Sequence, residues 1–375
     1  MSSIIIGADV APCGNAEELL SKGEIKTVLG EDLLKVWEES DFRLFNLECP
    51  MTNSEKKIEK YGPNIKCDTK VINGIVKMHP TCVLLSNNHI MDYGESGLFD
   101  TIKLLDKNNI HWIGAGNNIK EVIKRYEFKC NNKKVLVYNC CEHEFSIATE
   151  TKPGANPYDE FFLYDDIKSA NSDHDYIIVV YHGGKECYRY PSPLLQKRCR
   201  RMIDSGADLV ICQHSHCIGC KEEYMGGTII YGQGNFIFNK ISNEYWNTSL
   251  LIKIEMGNKP VIKYVPLLQT DNGVKLAQGE IAKKIISDFL DRTEEIKGTD
   301  VINKKYEEFA AKNLDNYIIM LSSNSTILRV IRKIMPGLFR RITFKYASVL
   351  NVVECESHRE LAIEGLKGAI KGKKR

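Results

Sequence analysis

The chain has 375 residues, 43% hydrophobic and 27% charged, with a formal net charge of +2. That length supports one large core or a core with an appendage, and the near-neutral charge excludes a global pull toward nucleic acid or lipid, so any such partner must be met by a local patch. No apolar run approaches the roughly eighteen residues of a membrane span, and Met1-Ser2-Ser3 runs straight into Ile4-Ile5-Ile6 without the n-region or cleavage site of a secretory signal; the expected location is cytoplasmic.

In chain order, short apolar runs read as strands at Ser3-Ile6, Phe42-Phe45, Cys82-Leu85, Lys134-Tyr138, Tyr176-Tyr181, Leu209-Cys212, Thr228-Tyr231, Leu250-Ile254 and Val261-Leu267, mostly buried on both faces. Helical periodicity falls between them at Glu31-Glu39, Gly97-Asn108 and Leu194-Ser205, the last stopping at Gly206 as a C-terminal cap. Alternation of this kind predicts an α/β fold, and the later strands, which follow one another without helices, favour a mixed sheet or a two-sheet sandwich over a purely parallel sheet. After about Gln269 the pattern turns helical, with charged faces over Gly279-Ile296 and Asp300-Lys312. The expected organisation is therefore a domain over residues 1–270 and a helical, basic C-terminal extension over residues 271–375.

From Thr326 onward there are twelve Lys or Arg residues against four acids. A basic amphipathic helix can bind an anionic membrane surface, giving weak peripheral contact with the inner face of a membrane; a solvated face on a packing helix is the commoner case. Thirteen cysteines, an odd number, fit reduced thiols better than a disulfide scaffold. The single Cys217-Ile218-Gly219-Cys220 motif reads as structural, with a thiolate ligand as the lesser alternative.

Five polar clusters stand where a predicted strand gives way to a loop. They are Asp9; Asn46-Leu47-Glu48; Asn87-Asn88-His89 with Asp92 and Gly94; His182-Gly183-Gly184-Lys185-Glu186; and Gln213-His214-Ser215-His216. Any one of them alone is an ordinary turn or a satisfied buried histidine. Ligands in α/β folds bind beyond the carboxyl ends of strands, where distant residues meet, and five coincidences at five strand ends are hard to sustain. The pair His214 and His216 is the most specific signal, since alternate residues of a regular strand point to one side. Carboxylates, an amide and imidazoles together suit two divalent ions of the Mn, Fe or Zn type, roughly 3.5 to 4 Å apart with one carboxylate between them. Such a pair acidifies water and neutralises an anionic ester. Lys185 and Arg189, next to His182, are candidates to clamp a phosphate or carboxylate of an anionic small-molecule or polymer substrate.

The ordered motifs Asn46-Leu47-Glu48, Ser86-Asn87-Asn88-His89-Ile90-Met91-Asp92-Tyr93-Gly94, His182-Gly183-Gly184-Lys185-Glu186, Gln213-His214-Ser215-His216 and Tyr231-Gly232-Gln233-Gly234-Asn235-Phe236 resemble those of the CapA capsule and poly-gamma-glutamate synthesis family, within the calcineurin-like metallophosphoesterase superfamily. The resemblance covers roughly residues 3–268. It implies a four-layer α/β/β/α sandwich around a dinuclear centre, with Asp9 and His216 on one metal, Asn88, His182 and His214 on the other, and Glu48 between them. His89 would be the general acid, oriented by Asp92. Two departures stand out: the superfamily's histidine two residues after the first aspartate is absent from Asp9-Val10-Ala11, and the family's Gly-Asp start is Gly7-Ala8-Asp9, one residue longer. The function implied is metal-dependent hydrolysis of phosphoester type in capsule or surface-polymer biosynthesis; the alternative is a non-catalytic accessory protein of a capsule-synthesis complex. A nucleic-acid substrate is disfavoured, because the core lacks a basic groove interleaved with aromatics.

Overall fold

A computed structural model describes residues 2–238, 243–321 and 325–341, with scattered positions beyond. The chain forms two compact units, residues 1–306 and 307–375.

The first unit contains two large sheets. Sheet one is ordered β16 (Gly273–Leu276), β15 (Val261–Thr270), β14 (Thr248–Glu255), β1 (Ser3–Val10), β2 (Phe42–Leu47), β3 (Cys82–Leu84) and β4 (Trp112–Ile113), with β13 (Asn235–Ile237) also paired to β1. Sheet two is ordered β11 (Lys221–Tyr224), β12 (Gly227–Ile230), β10 (Leu209–Gln213), β9 (Tyr176–His182), β7 (Lys133–Cys141) and β6 (Tyr126–Cys130); β5 (Ala115–Gly116) and β8 (Gly154–Ala155) make a small ribbon. The centre of each sheet is parallel: β1-β2-β3-β4 in one, β7-β9-β10-β12 in the other.

Strand alternation explains the layering. Ile4, Ile6, Leu44, Cys82 and Leu84 of sheet one pack with Val135, Val137, Ile178, Val180, Leu209 and Ile211 of sheet two in one apolar cluster between the sheets. The intervening residues face the other way. Ile5, Phe45 and Val83 pack with helices α1 (Gly14–Lys22), α2 (Ile25–Leu29), α3 (Glu31–Glu38), α4 (Ile72–Lys77) and α5 (Gly94–Lys107). Leu136, Ile177, Val179 and Val210 pack with α7 (Glu160–Ala170) and α8 (Pro193–Asp204), while the short α6 (Ile119–Val122) precedes β6. The result is the four-layer α/β/β/α sandwich. All nine sequence-predicted strands are present, and α8 does end before Gly206, whose φ of 118° suits glycine.

The expected boundary at residue 270 falls inside the first unit. β16 pairs with β15, and α9 (Gly279–Glu295) buries Ile285 and Phe289 in the inter-sheet cluster, so both belong to the sandwich. Helix α10 (Val301–Leu321) runs from one unit into the other. In the second unit, α11 (Thr326–Ile334) and α12 (Pro336–Arg341) contribute to a small core in which Ile318, Ile319 and Phe339 are buried and Leu328 and Ile331 pack against them. Among the described residues no helix is long and apolar enough to cross a membrane.

Candidate metal centre

The inter-sheet face that is apolar along the middle of the strands turns polar at their carboxyl ends. In β2 the face carrying Leu44 continues to Asn46 and Glu48; in β9 the face carrying Ile178 and Val180 ends at His182. Asp9 reaches the same place through a bulge. Ile6 pairs with Leu44 and Asp9 with Asn46, so Gly7 and Ala8 together oppose the single residue Phe45. The extra residue in Gly7-Ala8-Asp9 is absorbed there and the aspartate keeps its position. Gly7 is required, because a Cβ on it would lie 2.6 Å from Phe236 Cδ1.

His214 and His216 arrive differently from the sequence-based expectation. β10 ends at Gln213, and the two histidines lie in a turn with φ of 85° and 53°. Left-handed backbone, not strand alternation, directs them, and such conformations on non-glycine residues need outside support. The His214 N–H supplies some by donating to Asp9 Oδ2 at 3.1 Å, and Asn235 Oδ1 holds His216 Nδ1 at 2.9 Å.

These elements bring five of the expected residues together in two overlapping groups, Glu48 with His182 and His214, and Asp9 with Glu48 and His216; within each, one ligand atom per residue lies within 4.8 Å of the others. Glu48 belongs to both. His182 Nε2 is 3.1 Å from Asn88 Oδ1 and 3.4 Å from Glu48 Oε1, while His216 Nδ1 is 3.8 Å from Asp9 Oδ2. Donors bonded to a common ion at about 2.0–2.1 Å lie roughly 3.0–3.4 Å apart, so the His182 contacts with Asn88 and Glu48 already have the spacing of neighbouring ligands.

The electrostatics point the same way. Glu48 is fully buried, and neither of its carboxylate oxygens has a hydrogen-bond partner. A buried carboxylate without donors is costly and calls for a cation. Burial would by itself lower the His182 pKa, yet the nearby negative charges of Glu48 and Asp9 push it up to about 10. Burial would likewise raise Asp9, but His182, His216 and the Asn46 amide hold it below the usual carboxylate range. His214 is held well below the usual imidazole value by burial and then by the neighbouring His182 and His216, leaving it a neutral ligand with a free lone pair. The donor set therefore fits divalent cations.

Beside the centre, His89 Nδ1 is 2.7 Å from Asp92 Oδ2 and 3.1 Å from Lys60 Nζ. Asp92 is fully buried, pairs with Lys60, and accepts the Ile65 N–H at 2.7 Å. Both Nδ1 neighbours are thus on the protein side, and Nε2 is the ring nitrogen left for other chemistry. Of the two predicted clamps, Lys185 is exposed and its charge acts on His214, whereas Arg189 donates to Ile218 O at 3.3 Å and lies over the Tyr245 ring.

Sequence reasoning missed Glu142, Glu144 and Lys60. Glu142 and Glu144 form a further candidate group with His214, Glu142 Oε1 lying 3.7 Å from His214 Nε2, and Glu144 accepts the Asn88 amide at 2.8 Å. Burial, with Glu144 adding to it against the Gly184 N–H, raises the Glu142 pKa. The signal was present: β7 runs to Cys141, three residues past the predicted end, and Glu142 then stands at a strand end like the others. The Cys217 and Cys220 thiols are buried, burial pushes Cys217 up to about 11, and neither joins a candidate metal group among the described residues.

A four-layer sandwich whose parallel strands deliver carboxylates, an amide and histidines to one polar end defines an α/β protein with a candidate metal centre. The chain belongs to the family described as bacterial capsule synthesis protein PGA_cap, whose pattern matches residues 3–240. It is 30% identical over 212 residues to the capsule biosynthesis protein CapA of Bacillus anthracis, covering 54% of this chain and 52% of that protein. It is 29% identical over 210 residues to the PGA biosynthesis protein CapA of Bacillus subtilis strain 168, covering 55% of each. The chain thus spans about half the length of the curated relatives it matches. Among solved structures it is similar to a phosphatase from Mycoplasma pneumoniae, with 11% identity and a TM-score of 0.45 over 71% of this chain and 93% of the other.

Proposed function

We propose that this protein is a divalent-metal-dependent hydrolase of phosphoester type acting in the assembly of a capsule or other surface polymer, polysaccharide or poly-gamma-glutamate. The observation that carries the reading is the buried Glu48 carboxylate, shared by two ligand groups and without a hydrogen-bond donor. Asp9 and His216 would hold one ion and Asn88, His182 and His214 the other, with Glu48 shared; Mn, Fe and Zn accept such ligands. When bound, two such ions would neutralise the charge of an anionic ester and lower the pKa of the attacking water. His89 gives a proton from Nε2 to the leaving oxygen, while Asp92, itself paired with Lys60, fixes the ring by accepting the Nδ1–H. Lys185 offsets the charge of the incoming substrate.

The test is the metal content of protein dialysed against Mn, followed by hydrolysis of a phosphoester panel by wild type and His182→Ala. Metal-dependent turnover lost in the variant supports the reading; equal turnover in both sinks it. One observation favours an accessory protein of a capsule-synthesis complex as the second reading: Glu142 and Glu144 beside His214 would repel an anionic substrate. Full metal occupancy without turnover of any phosphoester would select it.

We also propose that the second unit contacts an anionic lipid surface. Ile327 and Ile334 of α11 are 72% and 70% exposed, and Val330 between them is exposed too, while residues 316–353 contain six Lys or Arg and no Asp or Glu. An exposed apolar arc on an acid-free basic helix suits the boundary between headgroups and acyl chains. Equal pelleting with phosphatidylglycerol vesicles by the full chain and by a chain ending at residue 321 would rule this out.

A further inference from the structure

A pocket lies past the loop that carries His216. It encloses about 430 Å3 and is walled by Arg189, Ile218, Thr248, Ile281, Ile285 and Arg292. The two arginines come from distant parts of the chain, Arg189 from the segment after β9 and Arg292 from α9. They meet because they donate to consecutive carbonyls of one loop, Arg189 Nη1 to Ile218 O at 3.3 Å and Arg292 Nε to Gly219 O at 2.8 Å.

Each guanidinium has a permanent charge and five N–H donors, of which these contacts use one apiece. Two like charges side by side in a half-buried cleft repel one another. Burial, and after it the charge of Arg189, holds the Arg292 pKa below its usual range. Neither arginine forms an ion pair with a carboxylate among the described residues. The other charges at the pocket are already matched, Lys284 with Asp288 at 3.2 Å and Glu280 with Lys283 at 2.7 Å. Arg189 gains only the face of Tyr245, whose centroid is 4.9 Å from its guanidinium carbon. Two forks with spare donors at one cavity are suited to an oxyanion, which would relieve their repulsion and accept their remaining hydrogen bonds.

The pocket lies near the candidate metal centre in the chain and in space. Ile218 is two residues from His216, and Trp246, next to the Tyr245 that carries Arg189, has its ring 4.3 Å from that of His216. We propose that Arg189 and Arg292 form a second anion subsite, taking a phosphate or carboxylate group borne by the substrate whose other anionic group reaches the metal centre. The term substrate rests on the hydrolytic reading above; anion binding by the pair does not. A substrate with two separated anionic groups, such as a segment of a polyanion, fits this layout better than a simple monoester.

The experiment uses the full chain depleted of metal, so that the metal centre does not compete for the anion. Calorimetric titration with inorganic phosphate, and separately with glutarate, is run on wild type, Arg189→Gln, Arg292→Gln and His182→Ala. Saturable binding of at least one probe is expected, weakened tenfold or more by either arginine substitution and unchanged in His182→Ala. Phosphate alone or glutarate alone identifies the group the subsite takes. Arg189→Gln leaves the Arg292 bond to Gly219 in place and remains informative if Arg292→Gln does not fold. No binding of either probe by wild type, undiminished binding by Arg189→Gln, or loss of binding in His182→Ala overturns the proposal. Absence of metal-dependent hydrolysis, by contrast, would remove the hydrolytic reading and leave this titration to stand by itself.

Discussion

The middle and the carboxyl end of the inter-sheet layer are the same strand faces put to opposite uses. Ile178 and Val180 lie in a dry cluster with Val137 and Ile211, and two residues further along the same face of β9 stands His182, fully enclosed among Glu48, Asp9 and Asn88. The middle gains stability from apolar burial. The end gives it up, because buried carboxylates and imidazoles lose hydration that their mutual contacts only partly replace. A buried polar cluster of this kind depends on the adjacent apolar layer to hold it in shape.

Three predictions separate the two regions. The largest effect is on turnover: His89→Gln is expected to lower kcat by about 10²–10⁴-fold, the usual range for a lost general acid, with metal content and thermal stability unchanged. An equal fall in metal content would assign His89 to the centre itself. Next, Ile178→Ala should destabilise the fold by about 2–5 kcal/mol, measured by urea unfolding, with no change in metal bound per folded molecule. Loss of metal in that variant would mean that the two regions are not separable.

The smallest effect concerns pH. In metal-depleted protein His182 is raised to about 10, above its unfolded value of 6.5, so the stability it contributes is fully present below the unfolded value and is lost as pH climbs through about 10. A cation competes with that proton, and metal affinity should rise over the same interval. Stability of the metal-free protein that falls identically in wild type and His182→Gln between pH 7 and 10 would contradict the assignment.

Much of this was readable before any coordinates. The nine strands follow from apolar runs long enough to be buried on both faces, and the candidate ligands follow from polar residues at their ends. What escaped has physical causes. The predicted strand at Lys134-Tyr138 stopped too early to expose Glu142, because Asn139 interrupts the apolar run; in the fold that amide is buried and donates to Val180 O at 3.2 Å. The arrival of His214 and His216 was expected from strand alternation, yet it depends on left-handed backbone that no periodicity encodes. Lys60 comes from a loop without regular pattern, and only the fold brings it to Asp92. β16 and α9 were assigned to the extension because a short edge strand and a charged helix carry no mark of belonging to a core until Phe289 is seen inside it. The extra residue at Gly7-Ala8-Asp9 is a bulge that leaves Asp9 beside Glu48 and His216.

The most direct test is stoichiometric. Wild type and Glu48→Gln, each loaded with Mn and desalted, are compared by elemental analysis. Two ions per wild-type chain and a loss of at least one in the variant are predicted, since Glu48 is the one residue common to both ligand groups. A wild type that retains no metal, or a variant that retains as much as wild type, would contradict the central claim that this carboxylate joins two metal positions.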